Sequence, residues 1–152
     1  MIIGFGSNLG NRRKNIAAAF ALLSQRAKII KISSLIESVP AEGVSGDQFL
    51  NGAALIETNL KPGALLKLLQ EVEKEIGRPR RHRTKEARVI DLDIIYYEDR
   101  VINKTGLKVP HPCRLKRPFV MKPAAEVAPD YCDPVLKKTL GAIASEMETL
   151  FR

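Results

Sequence analysis

From Val89 to Tyr97 apolar and polar positions alternate without a break, so this stretch is predicted to be a strand. Ile90, Leu92, Ile94 and Tyr96 fall on one face, and Val89, Asp91, Asp93 and Ile95 on the other. Ile2–Gly6 reads as a short buried strand. It is broken by Gly6-Ser7-Asn8-Leu9-Gly10-Asn11, which is either a helix-capping turn or a place where backbone approaches a ligand. A helix follows from Asn11, with Ile16, Phe20 and Leu23 on one side. Lys28–Ser38 alternates imperfectly and is expected to be one long strand, and Val39–Asp47 a loop. Gln48–Thr58 returns to strand character.

Pro62 and Gly77 bracket a second helix with Leu65, Leu69, Val72 and Ile76 on its buried stripe and Leu66, Gln70 and Glu73 beside it. After the central strand, Glu98-Asp99-Arg100 turns the chain into Val101-Ile102-Asn103, giving a trailing hairpin. Leu107–Pro112 is extended and proline-locked, and Pro118–Met121 is a short helical or extended apolar patch. Pro123 and Pro129 mark a loop region. A last helix begins near Thr139, with Leu140, Ile143, Met147 and Leu150 at helical spacing. The order β-α-β-β-α-β predicts an α+β fold, a ferredoxin-like split β-α-β sandwich. Its helices would pack on one sheet face and leave an open ligand cleft on the other.

Composition narrows the class. At 152 residues the expectation is a single domain, 1–152, and 45% hydrophobic content is ordinary for a globular chain. A net charge of +8 favours anionic partners. Two cysteines make no scaffold and no C-x-x-C site, so reduced thiols and a cytoplasmic location are expected. No secretory leader and no apolar run of roughly 18 residues is visible, so no membrane partner is expected.

Asp91 and Asp93 stand roughly 7 Å apart on one strand face. Such a pair is unfavourable when half-buried unless cations or donors neutralise it. Magnesium takes carboxylate oxygens, and ions about 3.5–4 Å apart suit such a pair. Upstream, Arg78–Arg88 is densely basic, and cations beside a metal-binding pair suggest a polyphosphate. Phe49 and Asn51 share a face, which suits a flat heteroaromatic ligand and equally an ordinary strand end. His111 is one of two histidines, held between two prolines.

With these motifs placed, the chain resembles the hydroxymethyldihydropterin pyrophosphokinase family. The resemblance runs from Gly6-Ser7-Asn8-Leu9 to about Pro129, through Phe49-Leu50-Asn51, Glu73 with Gly77-Arg78, and Arg88-Val89-Ile90-Asp91-Leu92-Asp93. It continues through Val109-Pro110-His111-Pro112 and Arg117-Pro118-Phe119-Val120. The resemblance implies transfer of pyrophosphate from ATP to the hydroxymethyl group of the pterin, releasing AMP. It implies two magnesium ions on Asp91 and Asp93, with Arg80 and Arg88 joining them in catalysis. Arg78, Arg80, Arg81, Arg88, His111 and Arg117 would hold the phosphates, and Leu66, Gln70, Ile94, Leu107 and Lys108 the adenine. The pterin would lie between Phe49 and Phe119, near Asp91, with Asn51, Ser38, Val39, Pro40 and Ala41 reading its edge. The Arg78–Arg88 loop is expected to close over nucleotide.

Three positions depart from the family pattern. Lys85-Glu86-Ala87 replace a Trp followed by Gly-Pro, Phe49 replaces a common Tyr, and Cys113 replaces a frequent Arg, for which Arg114 is expected to compensate. The expected partners are small molecules alone, with no nucleic acid, and the protein is expected to be a monomer. The rivals are another metal-dependent phosphotransferase or nuclease and an RNA-binding split β-α-β module. The aspartates on the open face would repel RNA phosphate without metals.

Overall fold

The strands sort their side chains by parity into two cores, one on each side of an antiparallel sheet. β1 (Ile2–Ser7), β2 (Lys28–Ile32), β4 (Phe49–Glu57) and β5 (Asp91–Tyr96) run in the order β2-β4-β1-β5, and the short β3 (Ile36–Ser38) also pairs with β4. This computed structural model describes residues 1–39, 48–77 and 89–150.

Ile3 and Phe5 of β1, Leu50, Ala54 and Ile56 of β4, and Leu92 and Ile94 of β5 pack with two helices. These are α1 (Arg12–Leu23) and α2 (Pro62–Ile76). α1 starts where the Asn11 side chain accepts the Lys14 N–H at 3.1 Å, satisfying a donor with no partner inside the helix. α2 opens on Pro62 and ends at Gly77, whose φ of 128° disfavours any side chain. Leu65 and Leu69 are fully buried beneath it. Truncating either to Ala would cost about 2–5 kcal/mol.

The opposite parity, Ile2, Ala53 and Ile95, packs with Met121 and Ala124 of α3 (Pro118–Val127) and with Leu140, Ile143 and Met147 of α4 (Leu140–Leu150). The α+β, ferredoxin-like plan holds, but helices lie on both faces. α3 and α4 cover the end of the second face that carries Ile2 and Ala53. The other end, around Gly6, Asn51 and Asp91, remains open.

Five local expectations are corrected. The predicted strand Lys28–Ser38 is broken into β2 and β3. At the break the Ser33 N–H still donates to the Ala53 carbonyl at 2.8 Å, but Ser33 Oγ accepts the Ala53 N–H at 2.9 Å, and Ser34 donates its N–H and Oγ–H to the Glu126 carboxylate of α3. Tyr96 leaves the face assigned to it. Ile3 opposes Ile94 while Ile2 opposes Tyr96, so Ile95 is the extra residue of a bulge and the alternation is reset. Tyr96 consequently packs with α3 and α4, and Tyr97 with α1 and α2.

Pro118–Val127 is a full helix despite Pro123, which lacks only the N–H that would meet the Phe119 carbonyl. The trailing hairpin is formed by β6 (Ile102–Lys104) with β7 (Leu107–Val109), so the extended segment supplies its second strand. Finally, the α4 stripe stops at Met147, because Leu150 is exposed.

Candidate active site

The open end of the second face is a cleft of about 460 Å³. Its floor is β1, where Gly4 and Gly6 present no side chain. Gly6 lies across the ladders from Asn51 on one side and Asp91 on the other, and Gly4 lies across from Asp93. A Cβ on Gly6 would stand 2.9 Å from Asn51 Oδ1 and 3.3 Å from Phe49 Cδ1. The missing side chains therefore create the space between the β4 and β5 walls. The sequence marks Gly6 as a place where backbone approaches a ligand; for Gly4 the signal is the i, i+2 glycine spacing at a strand end.

On the β4 wall, Asn51 is buried and its amide is oriented by its neighbours. Nδ2 donates to Ser38 Oγ at 2.7 Å and to the Ile36 carbonyl at 3.3 Å. Its oxygen thus points over Gly6, where it can accept a ring N–H. Phe49 sits beside it, half-exposed. On the β5 wall, Asp91 and Asp93 are both half-buried and both line the cleft. Ile95 completes that wall.

The segment after β7 closes the cleft. The His111 N–H donates to the Ile95 carbonyl at 2.9 Å, tying the segment to β5. His111 Nδ1 accepts the Cys113 N–H at 3.1 Å, which leaves Nε2 to carry the ring proton. Burial, then the positive charge of Arg117, push the His111 pKa below its ordinary value, with Asp91 partly opposing them. The ring is therefore a neutral donor at physiological pH. Arg117 lies over the Phe119 ring, 5.9 Å from its centroid. A flat ligand stacking on Phe119 must use the ring's other face.

The cleft thus assembles Ser38, Val39, Phe49, Asn51, Asp91, Asp93, His111, Arg117 and Phe119. Pro40, Ala41, Arg78, Arg80, Arg81 and Arg88 lie outside the described residues, as does the Arg78–Arg88 loop with its expected closure. Leu66, Gln70, Ile94, Leu107 and Lys108 do not line the cleft. Ile94, Leu66 and Leu107 pack together in the core on the α1–α2 side of β5, because Ile94 has the opposite parity to Asp93.

Arg114 does not stand in for the arginine that Cys113 replaces. Its guanidinium is buried and bonded to Asp133, with Nε 2.7 Å from Oδ2. Burial of the guanidinium disfavours its charge, but the hydrogen bond and charge of Asp133 outweigh this and hold the Arg114 pKa above its ordinary value.

Comparison with known proteins gives a consistent picture. The family described as 7,8-dihydro-6-hydroxymethylpterin-pyrophosphokinase (HPPK) matches residues 2–129. A 2-amino-4-hydroxy-6-hydroxymethyldihydropteridine pyrophosphokinase of Aquifex aeolicus is 39% identical over 138 residues, covering 91% of this chain and 86% of the relative. The folic acid synthesis protein FOL1 of Dictyostelium discoideum is 39% identical over 137 residues, 90% of this chain, but the chain spans only 21% of that protein. The crystal structure of Plasmodium falciparum HPPK-DHPS superposes with a TM-score of 0.75 at 14% identity, covering 95% of this chain and 43% of that one, and supports the fold. On the family match and the relatives' identity over most of its length, the chain belongs to the 7,8-dihydro-6-hydroxymethylpterin-pyrophosphokinase family.

Proposed function

We propose that the cleft transfers the pyrophosphoryl group of ATP to the hydroxymethyl oxygen of 6-hydroxymethyl-7,8-dihydropterin. The hydroxyl oxygen attacks the β-phosphorus, the bond to the α-phosphate oxygen breaks, and AMP leaves. The observation carrying this reading is that Asp91 and Asp93 share one cleft with Phe49, Asn51 and Phe119, which suit a flat ring, and with His111 and Arg117, which suit phosphate oxygens. Family membership supports ATP and the pterin as the substrates.

The carboxylate pair fits magnesium. Among the described residues no cluster of three or more His, Cys, Asp or Glu side chains is assembled. Two carboxylates completed by phosphate oxygens and water are how this ion commonly binds. Bound there, magnesium would neutralise triphosphate charge and align the attacking and leaving oxygens. The protein's own part is positioning and electrostatics. His111 donates Nε2–H to a phosphate oxygen, and Arg117 adds a planar cationic fork. Phe49 and Phe119 stack the pterin, and Asn51 Oδ1 accepts from its ring edge. The hydroxymethyl proton departs toward an Asp91 or Asp93 oxygen.

An adenine at the predicted residues requires ATP to cross a strand. Leu66, Ile94 and Leu107 lie on the far side of β5 from the aspartates, and β5 is the outermost strand of its sheet. A nucleotide draped over that edge would put its phosphates at Asp91 and Asp93 and its base near Leu107, with Gln70 and Lys108 at the rim. The phosphate roles of Arg78, Arg80, Arg81 and Arg88 and the edge-reading roles of Pro40 and Ala41 are carried by the resemblance alone. The same reading takes residues 1–152 as one pyrophosphokinase domain, monomeric and cytoplasmic. Two free thiols, Cys113 and Cys132, fit the cytoplasmic part of it. No described helix is long and apolar enough to cross a membrane.

The test is AMP formation from magnesium ATP with and without 6-hydroxymethyl-7,8-dihydropterin. AMP should form only when the pterin is present. Equal AMP without it, or ADP as the product, overturns the reading.

A further inference from the structure

Beneath the segment that carries His111 lies a closed polar network drawn from three distant parts of the chain. Asp133 is fully buried. Its Oδ2 accepts from Arg114 Nε at 2.7 Å and from the Tyr96 hydroxyl at 2.6 Å. Its Oδ1 accepts from Arg114 Nη2 at 3.3 Å and from the N–H groups of Val135 and Leu136, both at 2.9 Å. Arg114 Nε also reaches the Tyr96 hydroxyl at 3.2 Å. One guanidinium nitrogen remains, and Nη1 donates to the His111 carbonyl at 3.2 Å.

His111 is therefore gripped by its main chain at both ends. Its N–H is held by Ile95 of β5 and its C=O by Arg114, through Nη1 and through the Arg114 main-chain N–H at 3.2 Å, while Tyr96, next to Ile95 in β5, closes the circuit through Asp133. Nothing in the proposed chemistry uses Arg114, Tyr96 or Asp133, and Asp133 lies beyond the residues 2–129 that match the family. A buried ion pair is a weak source of stability, since apolar replacements of similar volume are often neutral.

We propose that Arg114, Asp133 and Tyr96 are positioning residues that fix the His111 ring relative to Asp91 and Asp93. The reading rests on the proposed role of His111 at the phosphates. The Arg114 fork does two jobs at once, because its planar nitrogens reach Asp133 and the His111 carbonyl in different directions. Asp133 aims the fork, and Tyr96 ties both to the strand bearing the aspartates.

The test pairs Arg114→Met with Asp133→Asn. Together they remove both buried charges, while the new amide keeps an oxygen for the Val135 and Leu136 N–H groups. Turnover is read as AMP formation, and the His111 tautomer is read by nitrogen-15 NMR in the absence of substrate. His111→Gln identifies its signals, since the chain has only two histidines. The wild type should show one tautomer with the proton on Nε2. The double variant should fold, lose kcat about tenfold or more and average its tautomers. If it keeps both turnover and the single tautomer, the network is structural only and the proposal falls.

Should the double variant fail to fold, Arg114→Lys keeps the charge beside Asp133 but cannot span to His111. It should show the same loss, and a wild-type tautomer and rate would overturn the idea. Met147→Ala, in the core under α4, should lower the thermal midpoint without changing kcat or tautomer. A parallel loss of kcat there would mean that turnover merely follows stability. If the wild type makes no AMP, the functional reading fails and the tautomer result alone decides this one.

Discussion

The Glu73 carboxylate reaches from α2 to the outer edge of β5 and accepts the Leu92 main-chain N–H at 2.9 Å. Leu92 is the residue between Asp91 and Asp93. An edge strand leaves such donors unpaired, and this one is met by a side chain that is itself buried. The link clamps the backbone that spaces the two carboxylates.

Glu73→Ala should therefore destabilise the fold by about 1–3 kcal/mol, the usual cost of stranding a buried donor. It should also speed hydrogen exchange at the Leu92 amide and reduce turnover at temperatures where the protein stays folded. Unchanged Leu92 exchange would show that the clamp does not hold the strand.

Gly6→Ala brings a methyl to 2.9 Å from Asn51 Oδ1, closer than such atoms approach, so the amide or the Phe49 ring must move. Pterin affinity should drop more than ATP affinity, because these groups form the wall away from the aspartates. Calorimetric titration of each substrate checks this, and an equal loss for both would contradict it.

Asp93→Ala should abolish AMP formation yet leave the thermal midpoint of the unliganded protein nearly unchanged, since the side chain lies half-exposed on the cleft wall. Added magnesium with ATP should raise the wild-type midpoint and fail to raise that of the variant. A variant that melts several degrees lower would place Asp93 among the structural residues.

Two of the groups through which acid should act, Asp133 and His111, have separate windows. Burial tends to raise the Asp133 pKa, but the hydrogen bonds from Arg114 and Tyr96 outweigh it and hold the group at about 2, against 3.8 for a free carboxyl. A depressed carboxylate contributes stability that is complete above the unfolded value and is lost as pH falls from 3.8 through 2. His111 behaves in the opposite charge sense: its folded pKa lies below 6.5, so the unfolded chain takes up the proton first. The His111 contribution should then be level above 6.5 and begin to fall as pH drops below it. Thermal midpoints of wild type, His111→Gln and Asp133→Asn across about pH 2–8 test both slopes, because each substitution removes one titrating group. A wild-type curve without a His111-dependent slope below 6.5 would contradict the neutral-ring assignment.

Element types, most element positions and half of the candidate site were legible in the residue order, because they depend on neighbours a few positions apart. Period-2 alternation put Asp91 and Asp93 on one face, and Pro62, Gly77 and Asn11 marked helix ends through local backbone chemistry. The same alternation placed Tyr96 on the wrong face. A bulge is a property of pairing with β1, and nothing in Ile94-Ile95-Tyr96 announces the skipped partner. Ser33 and Ser34 broke the second strand by bonds to Ala53 and to Glu126, 92 residues downstream of Ser34.

Sequence by itself determined the alternation of strands and helices up to β5, apart from the break between β2 and β3, and marked side chains whose chemistry suits metal, phosphate or an aromatic ring. Tertiary structure alone decided that Arg114 turns inward to Asp133 while Arg117 lies at the cleft, though the two stand three positions apart. It also decided that α3 and α4 close one end of the second face and leave the other open. Both outcomes come from charge pairing and packing between segments far apart in the chain, where a local pattern carries no information.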